Sequence, residues 1–271
     1  MADSKAVQAP GSKFTQLLDA AAQLPAVRID RAAYLRGALK RYCSDQQIEE
    51  AISDSPATAG IPFNVITAAA NTSIKFETSR TAAISTLAGI PGGLFMIGTV
   101  PADMVQYFGH VLRIAQKLAY IYSWPDLFAK DSDELDEATE SILTLFIGVM
   151  FGAQLAQAAV SKVSVMIAEQ VVKKLPQQAL THGAIYPVVK KVAALLGAQM
   201  TKPLFAGGIA KAVPVVGAVF SGGITLATFL PMAKRLQKHL ASLELTKPSH
   251  REQESEVIDA EIVDDELPEA S

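Results

Sequence analysis

The sequence predicts an all-α fold: a single helical domain of packed hairpins rich in small residues, with disordered termini. Helical apolar spacing recurs along the chain, most clearly from Pro101 to Tyr122. Cap signals mark helix starts at Asp30 and at Ser44, where Gln47, three residues on, completes a capping box. Three long uncharged runs, residues 81–102, 141–161 and 212–233, are rich in Ala, Gly, Ser and Thr, and the first and third carry internal prolines. That content suits closely packed helices that break and turn.

The predicted organisation is a flexible segment over 1–27, a helical domain over 28–243 and a disordered acidic tail over 244–271. Pro10-Gly11-Ser12 closes a frayed N-terminal stretch, and no apolar leader core precedes it, which predicts a cytoplasmic chain. From Asp30, Ala33, Tyr34, Gly37, Ala38, Arg41 and Tyr42 take helical spacing, alternating with a basic face of Arg31, Arg36, Lys40 and Arg41. Residues 53–62 read as a loop by their Pro, Gly and Ser content.

Each uncharged run has the length of a membrane span, about 20 residues. The stretch between the first two runs is acidic and the one between the second and third is basic, but the third run has basic clusters on both sides. Three full spans fit those signs poorly. Helices packed on one another, or hairpins dipping into one leaflet, fit better, around residues 80–122, 140–175 and 188–240. In the first run Pro91 stops a helix, Gly92 and Gly93 let the chain reverse, and Pro101 suits the first turn of the next helix, with Asp103 at the positive end of its dipole. Gly148 and Gly152 form a GxxxG, a spacing that lets backbones approach.

Half of the 271 residues are apolar and 19% are charged, against roughly a quarter charged in ordinary soluble domains. A net charge of −3 argues against a dedicated nucleic-acid binder. The one cysteine, Cys43, allows no internal disulfide and reads as a small buried apolar group. No phosphate-cradling loop, zinc pattern or nucleophile elbow is present, so no catalytic residue, metal or cofactor is assigned. Asp131-Ser-Asp133-Glu-Leu-Asp136 starts like a calcium loop but lacks the third ligand and the glycine.

One constellation remains. Asp103, Gln106, His110, Arg113 and Lys117 step by three and four along one helix stripe, with Tyr107 beside it. Facing a cleft, Asp103, Gln106, Tyr107, His110 and Arg113 would bind a polar ligand. Otherwise the stripe is a solvated face or a set of buried polar groups tying helices together. In the tail, residues 256–266 read either as a solubilising stretch or as a docking peptide that adds as a strand to a partner.

The block "GIPGG…TVPADMVQYFGHVLRIAQKLAYIYSWPDL" (89–127), with the blocks around 28–52, 59–85 and 210–240, resembles the EcsC family of bacterial proteins over roughly 28–243. The resemblance implies a helical, cytoplasm-facing, membrane-linked protein and supplies no catalytic residues. It also implies glycine where this chain has Ser123 before Trp124-Pro125. The leading expectation is therefore a non-enzymatic protein at the inner face of the cell membrane, scaffolding or regulating a process such as transport, with a lipid surface or membrane protein as partner. Two alternatives stand beside it. One is a soluble helical module holding a lipid-like ligand in a pocket lined by Phe95, Met96, Phe146 and Phe151. The other is an enzyme using the Asp103–Arg113 stripe.

Overall fold

Apolar residues at helical spacing begin earlier than the sequence predicts. The computed structural model describes residues 10–25, 27–88, 96–97, 100–128, 135–170, 174–200 and 217–247. Its first helix, α1 (Pro10–Ala22), buries Phe14, Leu17, Leu18 and Ala21 completely. These stand at i, i+3, i+4 and i+7, one stripe, which docks on the later helices. The expected flexible segment over 1–27 is thus corrected from Pro10 on. Proline opens the helix there, where its missing N–H is not needed.

Helices α2 (Arg31–Leu39) and α3 (Asp45–Ser53) start at the expected caps. The Asp30 carboxylate accepts from the Ala33 N–H, and Ser44 with Gln47 forms the reciprocal capping box. The buried face of α2 differs from the expected one: Arg31, Leu35 and Leu39 are buried, whereas Ala33, Gly37 and Tyr42 are exposed. Arg31 goes inward because its guanidinium meets four carbonyls. It donates to Ala51, Ile52 and Asp54 at the end of α3 (3.1, 2.7 and 2.8 Å) and to Trp124 (3.3 Å). The carbonyls of Ala51 and Ile52 belong to the last turn of α3, beyond its own hydrogen-bond ladder, so one forked cation satisfies a helix end. Cys43, expected buried, is half-buried, and desolvation raises its thiol.

Helix α4 (Phe63–Ala88) is followed by a two-residue antiparallel ladder, β1 (Met96–Ile97) on β2 (Val100–Pro101), and then by α5 (Ala102–Ile121). Pro91, Gly92 and Gly93 lie outside the described residues. Pro101 pairs with Met96 as the last residue of β2, and α5 begins one residue later, a correction to its expected place in the first turn. With no N–H to contribute, proline fits just ahead of a helix as well as inside its first turn. Helices α4 and α5 run antiparallel: Glu77 faces His110 and Lys117, while Thr67 faces Tyr122.

Helix α6 (Glu137–Met150) is capped by Asp136, which accepts from the Ala138 and Thr139 N–H groups. A turn over 151–153 reverses the chain into α7 (Gln154–Ala168), so the second uncharged run folds back on itself. Helices α8 (Gln177–Thr181), α9 (Tyr186–Met200) and α10 (Gly217–Ala241) follow, then a 3₁₀ turn at Glu244–Thr246. Leu245 is buried, so the packed body reaches past residue 244, the expected start of a disordered tail.

Helices α5 and α6 form the centre. From Ala138 to Met150 only Glu140 of α6 escapes full burial. Helices α4 and α10 cover one side and α1 with α9 another. The pair expected over 188–240 does not close on itself among the described residues: α9 packs on α1 and α6, and α10 packs on α4, α5 and α6. No described helix is long and apolar enough to cross a membrane.

Candidate functional site

Residues 55–102 contain a single acid, Glu77. It lies on the face of α4 turned toward α5 and is fully buried. A lone carboxylate in that position must be met by donors or neutralised. The polar stripe of α5 supplies them. Lys117 Nζ lies 2.6 Å from Glu77 Oε1, and Arg113 Nε lies 3.2 and 3.3 Å from the two carboxylate oxygens. His110 Nδ1 lies 3.4 Å from Oε2. One turn earlier on α4, Ser73 shares a 2.9 Å hydrogen bond with the Tyr34 hydroxyl of α2. The Lys117 ammonium also sits 5.0 Å from the centroid of the Phe76 ring and 5.9 Å from that of Tyr34.

Burial by itself would raise the Glu77 carboxyl. Hydrogen bonds from His110, Lys117 and Arg113 and the Lys117 charge outweigh that and hold it down at about 2. Such a carboxylate is ionised throughout the neutral range and its oxygens are engaged, so it is a poor general base. The arrangement is a clasp between α4 and α5. Tyr34, beside it, is pushed up by burial.

Of the residues expected to bind a ligand, the structure brings His110 and Arg113 together, with Lys117 as third donor. Gln106 is exposed and takes no part. Tyr107 turns toward α10: its ring is edge-on to Phe108 and Phe229 (6.0 and 6.3 Å), and its hydroxyl lies 3.7 Å from Met232 Sδ. The side chain of Asp103 lies outside the described residues. Of the expected apolar pocket, Phe146 is fully buried edge-on against Trp124 at 4.9 Å, and Phe151 is half-buried. Phe95 and the Met96 side chain lie outside the described residues. An open groove of about 460 Å³ lies instead by α8, lined by Met166, Pro176, Gln178 and His182 among others.

Two further groups lie on α5 and just past its end, of which helical spacing did not point to Gln116. Gln116, fully buried, accepts from the Ile29 N–H (2.8 Å) and donates to the Val27 carbonyl (3.0 Å), tying the α1–α2 connection to α5. Ser123 has φ of 68°. The Trp124 N–H bonds the Ala119 carbonyl and the Ser123 N–H the Tyr120 carbonyl, the paired bonds of a Schellman helix end that favours glycine at this position. The Ser123 hydroxyl accepts from the Ala57 N–H at 3.0 Å, a bond glycine could not make.

Two surface features complete the candidate regions. Helix α4 exposes Lys75, Phe76 and Arg80, and α10 exposes Leu230, Lys234, Arg235 and Lys238. Helix α10 runs antiparallel to α4, because Lys234 and Gln237 both bond Asn71 while Tyr107 at the start of α5 reaches Phe229 and Met232. Beyond the Asn71–Lys234 contact both helices continue for equal runs, to Ala88 and back to Gly217, about 25 Å of helix each. The C-terminal turns of α4 and the N-terminal turns of α10 therefore share one end of the molecule with the start of α5. Compared with protein-family models, curated proteins and solved structures, the chain finds no match.

Proposed function

We propose that this is a non-enzymatic protein that docks on a membrane surface at the inner face of the cell membrane and scaffolds or regulates a membrane process such as transport. One observation carries the reading. The described stretches 81–88 and 217–233 of two uncharged tracts, more than a hundred residues apart in sequence, run in α4 and α10 toward one pole of the α4–α5–α10 layer. The exposed cations of α4 and α10 stand behind that pole, where anionic headgroups would meet them. No described helix is built to cross the bilayer, so the contact is peripheral or shallow. The resemblance to the EcsC family supports the same reading. The buried, saturated Glu77 speaks against an enzyme on the α5 stripe.

Co-sedimentation with phosphatidylcholine vesicles, with and without about a third phosphatidylglycerol, tests this. Pelleting that increases with the anionic lipid and weakens with salt is the expected result. Protein left in the supernatant with both vesicle types at low salt rejects the proposal.

A further inference from the structure

Helices α4 and α10 together contain one carboxylate, Glu77, and it is enclosed in the clasp. Their outer faces expose five cations: Lys75 and Arg80 on α4, and Lys234, Arg235 and Lys238 on α10. The helices meet where Lys234 Nζ bonds the Asn71 amide oxygen, and Lys75 and Lys238 stand one turn on from these two residues. Among the described residues none of the five lies within 4.0 Å of a carboxylate. Lys234 is held by the amide oxygens of Asn71 and Gln237, and Arg235 by the Met150 carbonyl at 2.6 Å. Neutral acceptors position these charges without cancelling them. Phe76 (55% exposed) and Leu230 (38% exposed) add apolar surface to the same two helices.

The missing negative charge is in the chain itself. Residues 248–271 hold nine of its 27 acids against one base, Arg251, leaving residues 1–247 with five more bases than acids. Within that stretch "EVIDAEIVDDEL" interleaves its acids with Val257, Ile258, Ile262, Val263 and Leu267, the counterpart of a face that is basic with apolar patches. Reach is no obstacle. The described residues end at Lys247, one 3₁₀ turn after α10 ends at Ala241. Lys234 and Lys238 lie within about 10 Å of that end along the helix, and an extended chain gains about 3.3 Å per residue.

We infer that residues 252–269 dock in cis on the basic outer face of α4 and α10. The tether makes the segment a local competitor for that face. It follows, resting on the membrane reading above, that the docked segment masks the face from anionic lipid until lipid outcompetes it. The acidic segment is then an internal mimic of the headgroup layer.

Zero-length carbodiimide cross-linking of the full chain at low concentration, read by mass spectrometry of the monomer band, tests the docking. Links from Lys75, Lys234 or Lys238 to acids within 252–269 are expected. They should fall several-fold at about 0.5 M salt and in the Lys75→Glu/Lys238→Glu variant. Links that reach only other lysines, that ignore salt, or that occur only in a dimer band overturn it, the last by making a second copy the occupant. A full-length variant with Glu254→Gln, Glu256→Gln, Asp259→Asn, Glu261→Gln, Asp264→Asn and Asp265→Asn then reports on masking. It should bind phosphatidylglycerol-containing vesicles about tenfold more tightly than the parent. Equal binding overturns the masking, whereas no binding by either form, with the cross-links intact, overturns the membrane reading and not the docking.

Discussion

A single carboxylate organises the α4–α5 interface, and its energetics follow from its surroundings. Glu77 sits at about 2 in the folded chain against an ordinary value of 4.5, which corresponds to about 3 kcal/mol of stability at neutral pH. Because the folded value is depressed, that contribution is complete above about 4.5 and fades as pH falls toward 2. Glu77→Gln keeps the shape but strips Lys117 of its carboxylate, so urea denaturation at pH 7 should show a loss of about 3 kcal/mol. At pH 3 the gap between parent and variant should be no more than about half of that. A gap that stays constant over this range would mean that the clasp acts through packing alone. The donors were legible in the sequence, because steps of three and four place His110, Arg113 and Lys117 on one stripe. Their partner was not, since spacing along α5 says nothing about which residue of α4 faces it. The one available signal was that Glu77 is the sole acid in residues 55–102.

At the level of helices, glycines and their substitutes decide where elements stop and how closely they pack. The GxxxG of α6 resolves into two separate tasks. Gly152, at φ of 84°, ends the helix, while Gly148 is the contact point. A Cβ at Gly148 would lie 2.6 Å from Val192 Cγ1 of α9 and 2.7 Å from Ala156 Cβ of α7. Gly148→Ala should therefore cost about 1–3 kcal/mol in thermal or chemical unfolding. Adding Val192→Ala should recover part of that, as a coupled pair does. Full additivity would place the strain elsewhere. The end of α5 makes the opposite compromise: Ser123 accepts an unfavourable φ and gains the Ala57 N–H. Ser123→Ala keeps the strain and orphans that donor, whereas Ser123→Gly relieves the strain while losing the bond. The glycine variant should exceed the alanine variant in stability by about 1 kcal/mol. Equal unfolding midpoints would show that the backbone there carries no strain. Helix starts were readable because Asp30, Ser44 and Gln47 act on their neighbours in sequence. The burial of Arg31 and the docking of α1 were not, because both depend on surfaces supplied by residues far along the chain.

Across the whole molecule, three uncharged tracts that look alike in sequence fall in different elements. The middle one, 141–161, forms most of α6, which α5, α9 and α10 enclose, and the start of α7, where Leu155 is exposed. Of the outer two, the described stretches 81–88 and 217–233 belong to α4 and α10 and run toward one shared pole. Hydropathy alone cannot tell burial in protein from contact with lipid, since both select the same side chains. Hydrogen exchange can. In solution α5 and α6 should be the slowest-exchanging helices, opening only with global unfolding, because their neighbours enclose them. Adding phosphatidylglycerol-containing vesicles should slow exchange within 81–102 and 212–233 and leave α6 unchanged. Faster exchange in α6 on adding vesicles would mean that the core opens to meet the lipid, as a hairpin inserting from a partly unfolded state would require. Protection confined to the two outer tracts is the signature of a rigid helical body resting on a membrane by one end.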